Sequence, residues 1–269
     1  MTTNDKTMTA APADHFAFGE NWRAFSTSID EQKIRQACDD MEALLGSGTL
    51  RDKTMLDIGS GSGLHSLAAL KLGAKSVHAI DYDPNSVSTT RSVLQKFAPG
   101  DQWTAEVGDV FDIANLGMFD IVYSWGVLHH TGDVNRAIRC ASEHVSPGGT
   151  SCIAIYRKTK LCGFWKAEKK LYSQSGSVVQ GVIRAAFHAV MFTTYLRRGK
   201  LAPLARGMKF SNDVHDWLGG YPYESMSPAE VRALCADCGM SEICANAEPV
   251  QPFGLTGSGC DEYVFRRTN

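Results

Sequence analysis

The sequence lacks the long apolar run that would place it in a membrane. No stretch of about eighteen consecutive apolar residues occurs, so a membrane-spanning helix is not expected. The opening MTTNDKTMTAAPADH is polar and has no apolar centre, unlike a secretory signal, and residues 1–15 are predicted to be disordered. The eight cysteines are scattered and show no disulfide framework, so a reducing, cytoplasmic location is expected.

A second cysteine pair is also missing. Cys235 and Cys238 form one CxxC within the helical pattern PAEVRALCADCG. Structural zinc needs four ligands, and a single pair supplies only two. We therefore interpret these cysteines as packing residues.

Acidic residues are scarce between residues 157 and 209, where twelve Lys and Arg accompany one acid, Glu168. The whole chain has a net charge of −2, so the positive charge is local. Such a segment indicates an anionic partner, which could be a phosphate, a nucleic acid or an acidic membrane surface. A solvated helix face is the alternative, because long basic side chains are normally exposed.

Strand and helix patterns alternate through residues 16–157. Five short apolar strands are separated by helical segments, and residues 16–46 have helical spacing throughout. This alternation predicts a Rossmann-like, mostly parallel sheet with helices on both faces. Two further strands near the C-terminus, SEICANAEPV and CDEYVFRR, complete a seven-stranded sheet.

The alternation stops after the fifth strand. Residues 158–226 are basic and mostly helical, and we interpret them as a cap inserted beside the carboxyl ends of the strands, where such sheets bind ligands. Residues 227–269 return to the sheet through a helix whose Ser227, Pro228 and Glu230 have capping-box spacing.

A glycine-rich loop follows the first strand, in LDIGSGSG, residues 56–63. A dinucleotide-binding loop has its third glycine five residues after the first, but Leu64 occupies that position here. Asp57 also precedes the glycines, and a carboxylate there would repel a pyrophosphate. It suits instead a cofactor that carries an amino group and a sulfonium.

This pattern resembles the class I S-adenosylmethionine (SAM) methyltransferases, and four further motifs follow in that family's order. HAIDYDP ends the second strand, GDVFD follows the third, SWGVLHHTGD follows the fourth, and VSPGG precedes the fifth. The resemblance implies that Asp81 binds the ribose, that Tyr82 lies on the adenine and that Asp109 accepts the adenine amino group. The full predicted cofactor set is Asp57, Gly59, Ser60, Gly61, Gly63, Asp81, Tyr82, Asp109, Val110, Ser124 and Trp125.

Two outer segments resemble a small-molecule branch of this family similar to the enzymes of ubiquinone and menaquinone biosynthesis. They are FGENWRAFS and DWLGGYPYE. The second lies in FSNDVHDWLGGYPYE, residues 210–224, which holds too many helix breakers for a helix to be expected. We predict that this segment returns the chain from the cap to the sheet across the cleft.

Methyl transfer requires the acceptor to be aligned and one proton to be removed when the acceptor carries one. The candidate bases are Glu168, His129 and His130. The predicted acceptor contacts are Trp22 and Phe25 in an N-terminal lid, with Tyr156, Trp165, Tyr172, His215, Trp217, Tyr221 and Tyr223.

The sharpest acceptor hypothesis is a prenyl diphosphate that is methylated on carbon, with Glu168 as base and the aromatic residues stabilising a carbocation. Asp213, His215 and Asp216 would then be candidate ligands for Mg²⁺. Alternatives are O-methylation of a hydroxylated aromatic or quinol with His129 or His130 as base, and methylation of tRNA through the basic cap. The apolar helix predicted over residues 178–198 could contact a membrane surface or another copy of the chain.

Overall fold

The computed structural model describes residues 18–100, 102–197, 210–247, 252–255 and 257–268. The side chains of residues 192–197, 210–213 and 216 lie outside this description. The predicted disorder of residues 1–15 also lies outside it.

Seven strands form one mixed sheet in the order β3-β2-β1-β4-β5-β7-β6. Only β7 runs antiparallel to its neighbours, β5 and β6. The predicted fold class is therefore confirmed. The strands are β1 (Thr54–Ile58), β2 (Ser76–Asp81), β3 (Trp103–Val107), β4 (Phe119–Trp125), β5 (Val145–Tyr156), β6 (Met240–Asn246) and β7 (Cys260–Arg267).

The described helices follow the predicted order, and a single turn of 3-10 helix, Leu128–His130, follows β4. They are α1 (Gly19–Ser26), α2 (Glu31–Leu45), α3 (Leu64–Lys71), α4 (Pro84–Phe97), α5 (Val134–Glu143), α6 (Cys162–Ser173), α7 (Ser177–Arg197), α8 (Phe210–Gly219) and α9 (Pro228–Asp237).

The expected helical stretch over residues 16–46 is two helices. Asp30 has an extended backbone, and its side chain accepts a hydrogen bond from the Lys33 backbone N–H. This side-chain cap starts α2, and it separates α2 from the end of α1.

The core has two halves, one on each face of the sheet. Leu56 and Ile58 of β1 point into one half, which also contains residues of α5 and α9. Met55 points into the other, which contains residues of α2 and α3. This alternation follows from the two-residue period of a strand and leaves the ends of the strands free to form a site.

Helix α9 begins as predicted. The Ser227 hydroxyl accepts from the Glu230 N–H, and the Glu230 carboxylate accepts from the Ser227 N–H. Cys235 is buried in the core and Cys238 packs against it, in agreement with a packing role.

The cap consists of α6, α7 and α8, and its two ends meet at the sheet. Arg157 and Met226 form a parallel bridge, in which the Met226 N–H donates to the Tyr156 carbonyl at 3.0 Å. A separate, largely aromatic core holds the cap together, and Trp217 packs against it. The core consists of Trp165, Tyr172, Phe187, Val214, Leu218 and Tyr223.

The prediction that residues 210–224 are too broken for a helix was wrong in its first part. Residues Phe210–Gly219 form α8, because the breakers Gly220 and Pro222 come after the helix rather than within it. Within the described part of the chain, no helix has the length and apolar character needed to cross a membrane.

Candidate active site

The glycine loop turns sharply between β1 and α3. Gly59, Gly61 and Gly63 have φ angles of +79°, +55° and +77°, which favour glycine. A side-chain carbon on Gly59 would lie 2.4 Å from Val127, and one on Gly63 would lie 2.9 Å from the Thr90 Cα. The loop is therefore packed tightly against Val127, which follows β4, on one side and against Thr90 of α4 on the other.

The backbone N–H groups of this loop are largely used within the protein. Gly59 and Ser60 donate to the Ile80 carbonyl, Gly61 donates to the Asp81 carboxylate, and Gly63 donates to the Ser60 carbonyl. A phosphate-binding loop instead directs such groups at its ligand. This geometry favours the reading that the loop holds a cofactor without a pyrophosphate.

Asp57 lies beneath the loop with 2% of its surface exposed. Its carboxylate accepts a hydrogen bond from the Ser66 hydroxyl at 2.5 Å. Burial raises the pKa of Asp57 to about 7, the Ser66 bond opposes this shift, and the negative charge of Asp81 adds to it. A cationic group nearby would relieve this penalty on the ionised carboxylate.

Asp81 is the last residue of β2, and its carboxylate binds the backbone of the glycine loop and that of the turn before α4. One carboxylate oxygen accepts from the Gly61 N–H and the other from the Asp83 N–H, each at 2.9 Å. Burial raises the pKa of Asp81 to about 6 despite these bonds. A carboxylate has about four lone-pair sites, so both oxygens retain capacity to accept from a hydroxyl pair such as a ribose.

Tyr82 and Asp109 lie at the ends of the neighbouring strands. The Tyr82 ring is 37% exposed, and the Asp109 carboxylate accepts from the Phe111 N–H at 2.9 Å. Because β1, β2 and β3 are adjacent and parallel, Asp57, Asp81 and Asp109 share one edge of the sheet.

Four other predicted cofactor residues make contacts within the protein. Val110 is buried in the core, and the Ser124 hydroxyl donates to the Ile58 carbonyl at 3.0 Å. The Ser60 hydroxyl bonds that of Thr90, and the Trp125 Nε1 donates to Glu262 at 2.8 Å. All four side chains are therefore held by other groups of the protein.

Helix α1 covers the glycine loop. The Gly19 N–H donates to the Asp83 carboxylate at 2.9 Å, and the Trp22 ring lies against Gly61, where a side-chain carbon would come within 3.0 Å of it. Phe18 contacts His130 with 5.3 Å between ring centres. Phe25, in contrast, is buried in the core, so its packing is that of a core residue.

The two histidines after β4 have different proton arrangements. His129 is fully buried, and its Nδ1 accepts from the Tyr156 N–H at 3.2 Å, which assigns the proton of the neutral ring to Nε2. Burial holds the pKa of His129 well below its usual range; the charges of His130 and Lys169 lower it further, and a backbone hydrogen bond at Ala154 opposes the shift. His129 is therefore placed to donate a hydrogen bond rather than to act as a base.

His130 Nδ1 donates to the Pro222 carbonyl at 2.8 Å, which leaves the ring lone pair on Nε2. Of the two histidines, His130 has the arrangement of a base. The same contact ties the 3-10 turn to the segment that follows α8.

Glu168 and Lys169 are neighbouring residues of α6, in the interior of the cap. Both carboxylate oxygens of Glu168 and the Nζ of Lys169 are buried without a hydrogen-bond partner among the described residues. Lys169 lies over the Trp217 ring at 3.6 Å and over the Tyr223 ring at 5.4 Å. Burial raises the pKa of Glu168 and lowers that of Lys169, and their mutual attraction opposes both shifts.

Tyr156 joins the histidines to the cap. Its ring centre lies 3.7 Å from that of His129, 5.2 Å from that of Trp217 and 5.4 Å from that of Tyr223. The structure therefore brings four of the predicted acceptor-site and base residues together in one aromatic cluster.

The remaining predicted acceptor residues mostly hold the cap. The Trp165 Nε1 donates to the Gly254 carbonyl, the Tyr172 hydroxyl bonds His215 Nδ1 at 2.6 Å, and the Tyr223 hydroxyl bonds Ser258. Tyr221 lies in the turn after α8, where its N–H donates to the Gly219 carbonyl.

The predicted Mg²⁺ ligands include Asp213 and Asp216, whose side chains lie outside the described residues. In the part of the chain that the structure describes, no group of three His, Cys, Asp or Glu residues is arranged to hold a metal ion.

Sequence reasoning missed Lys169. It follows Trp165 by four residues and precedes Tyr172 by three, which places it on the buried stripe of α6. This helical spacing was the available signal, but the high density of lysine in the segment concealed it.

A groove of about 550 Å³ lies beside the cap, and Tyr223 of the aromatic cluster is part of its lining. Its walls come from α5, the start of α6 and α9, and they include Val134, Cys162 and Leu234. It does not contain the predicted cofactor residues.

The sheet order, the tight glycine loop and the acids at three neighbouring strand ends define a Rossmann-like methyltransferase fold. Residues 55–149 match the family model described as a methyltransferase domain. The chain therefore carries a methyltransferase domain.

Curated relatives match only the central part of the chain. Ribosomal protein L11 methyltransferase from Pasteurella multocida is 45% identical over 58 residues, which are 22% of this chain and 20% of that protein. The same enzyme from Xanthomonas campestris is 48% identical over 58 residues, 19% of its length. This chain thus spans about a fifth of the length of the curated relatives that it matches.

Solved structures are similar over nearly the whole chain. Magnesium protoporphyrin IX methyltransferase from Synechocystis, with bound SAH, has a TM-score of 0.57 at 18% identity and covers 93% of this chain and 94% of its own. An O-methyltransferase family protein from Burkholderia thailandensis has a TM-score of 0.55 at 14% identity and covers 88% of this chain and 57% of its own. At these identities the likeness establishes the fold.

Proposed function

We propose that this protein is a SAM-dependent methyltransferase that acts on a small molecule bound between the sheet edge and the cap. The observation that carries the proposal is the glycine loop, whose N–H groups are used internally while buried acids stand at the ends of β1 and β2. This arrangement suits a cofactor with a cationic amino acid part and a ribose.

The residues present fit SAM. The Asp57 carboxylate lies where a cationic amino group would favour its ionised form, and Asp81 retains acceptor capacity for ribose hydroxyls. Tyr82 offers a partly exposed ring for the adenine, and Trp22 closes the loop from α1. When bound, SAM supplies an electrophilic methyl group, so the protein needs only to align the acceptor, exclude water and accept a proton.

Glu168 is our first candidate for the proton acceptor. Its carboxylate is buried under the cap, and burial raises its pKa towards neutrality, where a general base is most effective. His130 is the second candidate because its Nδ1 contact leaves the lone pair on Nε2.

The acceptor would contact the aromatic cluster of Tyr156, Trp217 and Tyr223. A prenyl diphosphate methylated on carbon would use these rings to stabilise a carbocation. A hydroxylated aromatic or quinol acceptor would stack on the same rings, and the donor groups of His129 and Lys169 favour this second candidate. The finer placement in the ubiquinone- and menaquinone-like branch stays a prediction.

Methylation of tRNA has less support from the described residues. Arg157 pairs with Asp261, Lys158 pairs with Glu230, and Lys169 is buried. These three bases are therefore not available to a phosphate backbone, whereas Lys160, Lys166 and Lys170 are exposed.

Labelled SAM incubated with prenyl diphosphates, phenols, quinols and tRNA tests the proposal. We expect methyl transfer to a small molecule, and Glu168→Gln should reduce turnover at least about tenfold while SAM binding is kept. Lys166→Gln on the exposed side of α6 is the control. Transfer only to tRNA, or full turnover by Glu168→Gln, would overturn the acceptor class or the assigned base respectively.

A further inference from the structure

Among the residues that the structure describes, four buried polar groups without hydrogen-bond partners lie around one part of the cap. They are the Nζ of Lys169, the Nε2 of His129, the Nε1 of Trp217 and the carboxylate of Glu168. Buried polar groups in proteins are nearly always hydrogen-bonded, and each exception calls for an explanation. An unpaired buried charge is especially unfavourable.

These groups are mutually close. Lys169 Nζ lies 3.6 Å from the centre of the Trp217 ring, and Glu168 precedes Lys169 on α6. The Tyr156 ring connects Trp217 with His129, because its centre lies 5.2 Å from that of Trp217 and 3.7 Å from that of His129. The cluster therefore forms a polar patch inside a set of aromatic rings.

Three of the four groups are donors. Lys169 carries an ammonium, Trp217 Nε1 can only donate, and His129 Nε2 carries the ring proton because Nδ1 accepts from Tyr156. The fourth group, the Glu168 carboxylate, can accept but bonds none of these donors, so their missing partner is a further acceptor. Beside a lysine an anionic oxygen is the most stable one.

The charge of the described residues favours an anion with one negative charge. Among those residues Lys169 is the cation at the patch, and Glu168 is adjacent to it, so a diphosphate would meet one lysine and a carboxylate. The bases Lys160, Lys166 and Lys170 of the same segment are exposed to solvent and cannot neutralise further charge there. A carboxylate or an acidic phenol needs only the one lysine.

We propose that this patch binds the acidic oxygen of a planar organic monoanion, with Lys169 and His129 as its donors and the rings of Tyr156 and Trp217, which stand edge to face at 76°, beside it. This inference rests on the proposed function, because it names the class of the methyl acceptor: an aromatic or conjugated acid. Lys169 Nζ is closed to solvent, so the ligand enters when α6 and α8 separate.

Calorimetry on the full chain without cofactor tests the site, with 4-hydroxybenzoate as probe and uncharged 4-hydroxybenzamide and inorganic pyrophosphate as comparisons. We expect the benzoate to bind and to raise Tm, and Lys169→Met to weaken its binding about tenfold or more. Lys166→Met should leave binding unchanged. The proposal would be overturned if the benzoate does not bind, or if the benzamide or pyrophosphate binds as well as the benzoate or better. It would also be overturned if Lys169→Met binds the benzoate as tightly as the wild type does.

Two further measurements keep the test decisive. If Lys169→Met does not fold, the Nε2–H resonance of His129 in the wild-type protein should shift when the benzoate is added, and an unchanged resonance would overturn the site. SAH titrated into the same preparation tests the proposed function separately: SAH binding without benzoate binding refutes the anion site alone, and absence of SAH binding refutes the cofactor assignment.

Discussion

Asp57 is the residue whose charge should respond most visibly to pH. Its pKa is 3.8 in a model peptide and about 7 in the buried site. A carboxyl group whose pKa is raised on folding stabilises the protein below its unfolded pKa, and this contribution is lost as pH rises through the folded pKa. The window therefore runs from about pH 4 to about pH 7.

We expect Asp57→Asn to remove this dependence. Between those pH values the free energy of unfolding of the wild type should fall relative to that of Asp57→Asn, by up to about 1.4 kcal/mol for each unit of pKa shift. Urea unfolding at a series of pH values measures the difference. Asp112→Asn, at an exposed position of a later loop, is the control. A constant difference between wild type and Asp57→Asn would show that Asp57 is not buried as described.

At the residue scale, the sequence predicted that Asp57, Asp81 and Asp109 stand at the ends of neighbouring strands, and the structure places them there. Their role in binding a cofactor stays a prediction. The sequence could not show that the Trp125, Ser124 and Ser60 side chains are held by other protein groups. It also did not distinguish His129 from His130, since their tautomers depend on contacts with Tyr156 and Pro222 that come from distant segments.

The start of α3 shows how an element depends on one glycine. Gly63 and Gly48 have the same φ of +77°, but a side-chain carbon meets the Thr90 Cα at 2.9 Å at Gly63 and nothing within 4 Å at Gly48. Alanine at either position must adopt a left-handed backbone conformation, which lowers the free energy of unfolding by about 1 kcal/mol or somewhat more. At Gly63 the added methyl group must also push the backbone of α4 away, because it would lie too close to the Thr90 Cα.

We therefore expect Gly63→Ala to lower the free energy of unfolding by about 1–3 kcal/mol more than Gly48→Ala does. Urea unfolding of the two variants gives the comparison. Equal losses would mean that the contact between the loop and α4 is not as close as described.

Helix α1 covers the predicted cofactor site, because Trp22 lies over the glycine loop. Removing the ring in Trp22→Ala should weaken SAH binding and increase hydrogen exchange in α1, since the helix loses its contact with the loop. Arg23→Ala, exposed on the same helix, should change neither. If Trp22→Ala binds SAH as the wild type does, α1 does not cover the cofactor.

The elements were predictable where local signals agreed, as in α9, whose Ser227 and Glu230 form both capping bonds. The break before α2 was missed because apolar spacing continues across it while Asp30 acts as a local cap. Helix α8 was missed because Gly220 and Pro222 were read as part of the same segment, whereas they follow the helix.

At the scale of the whole molecule, the order of motifs specified the sheet, since each glycine or acid followed a strand in the sequence. The interior of the cap could not be predicted in this way. Its aromatic core joins residues that are distant in sequence, such as Trp165 and Trp217, with 5.8 Å between ring centres. The burial of Lys169 within a segment of twelve bases likewise depends on tertiary packing.

Titration calorimetry with SAH shows whether the strand ends around Asp81 hold the cofactor. We expect one SAH to bind per chain and Asp81→Asn to weaken that binding about tenfold or more, because a ribose hydroxyl pair loses a charged acceptor. Asp112→Asn should bind like the wild type. A wild-type protein that does not bind SAH, or an Asp81→Asn variant that binds it equally well, would contradict the account.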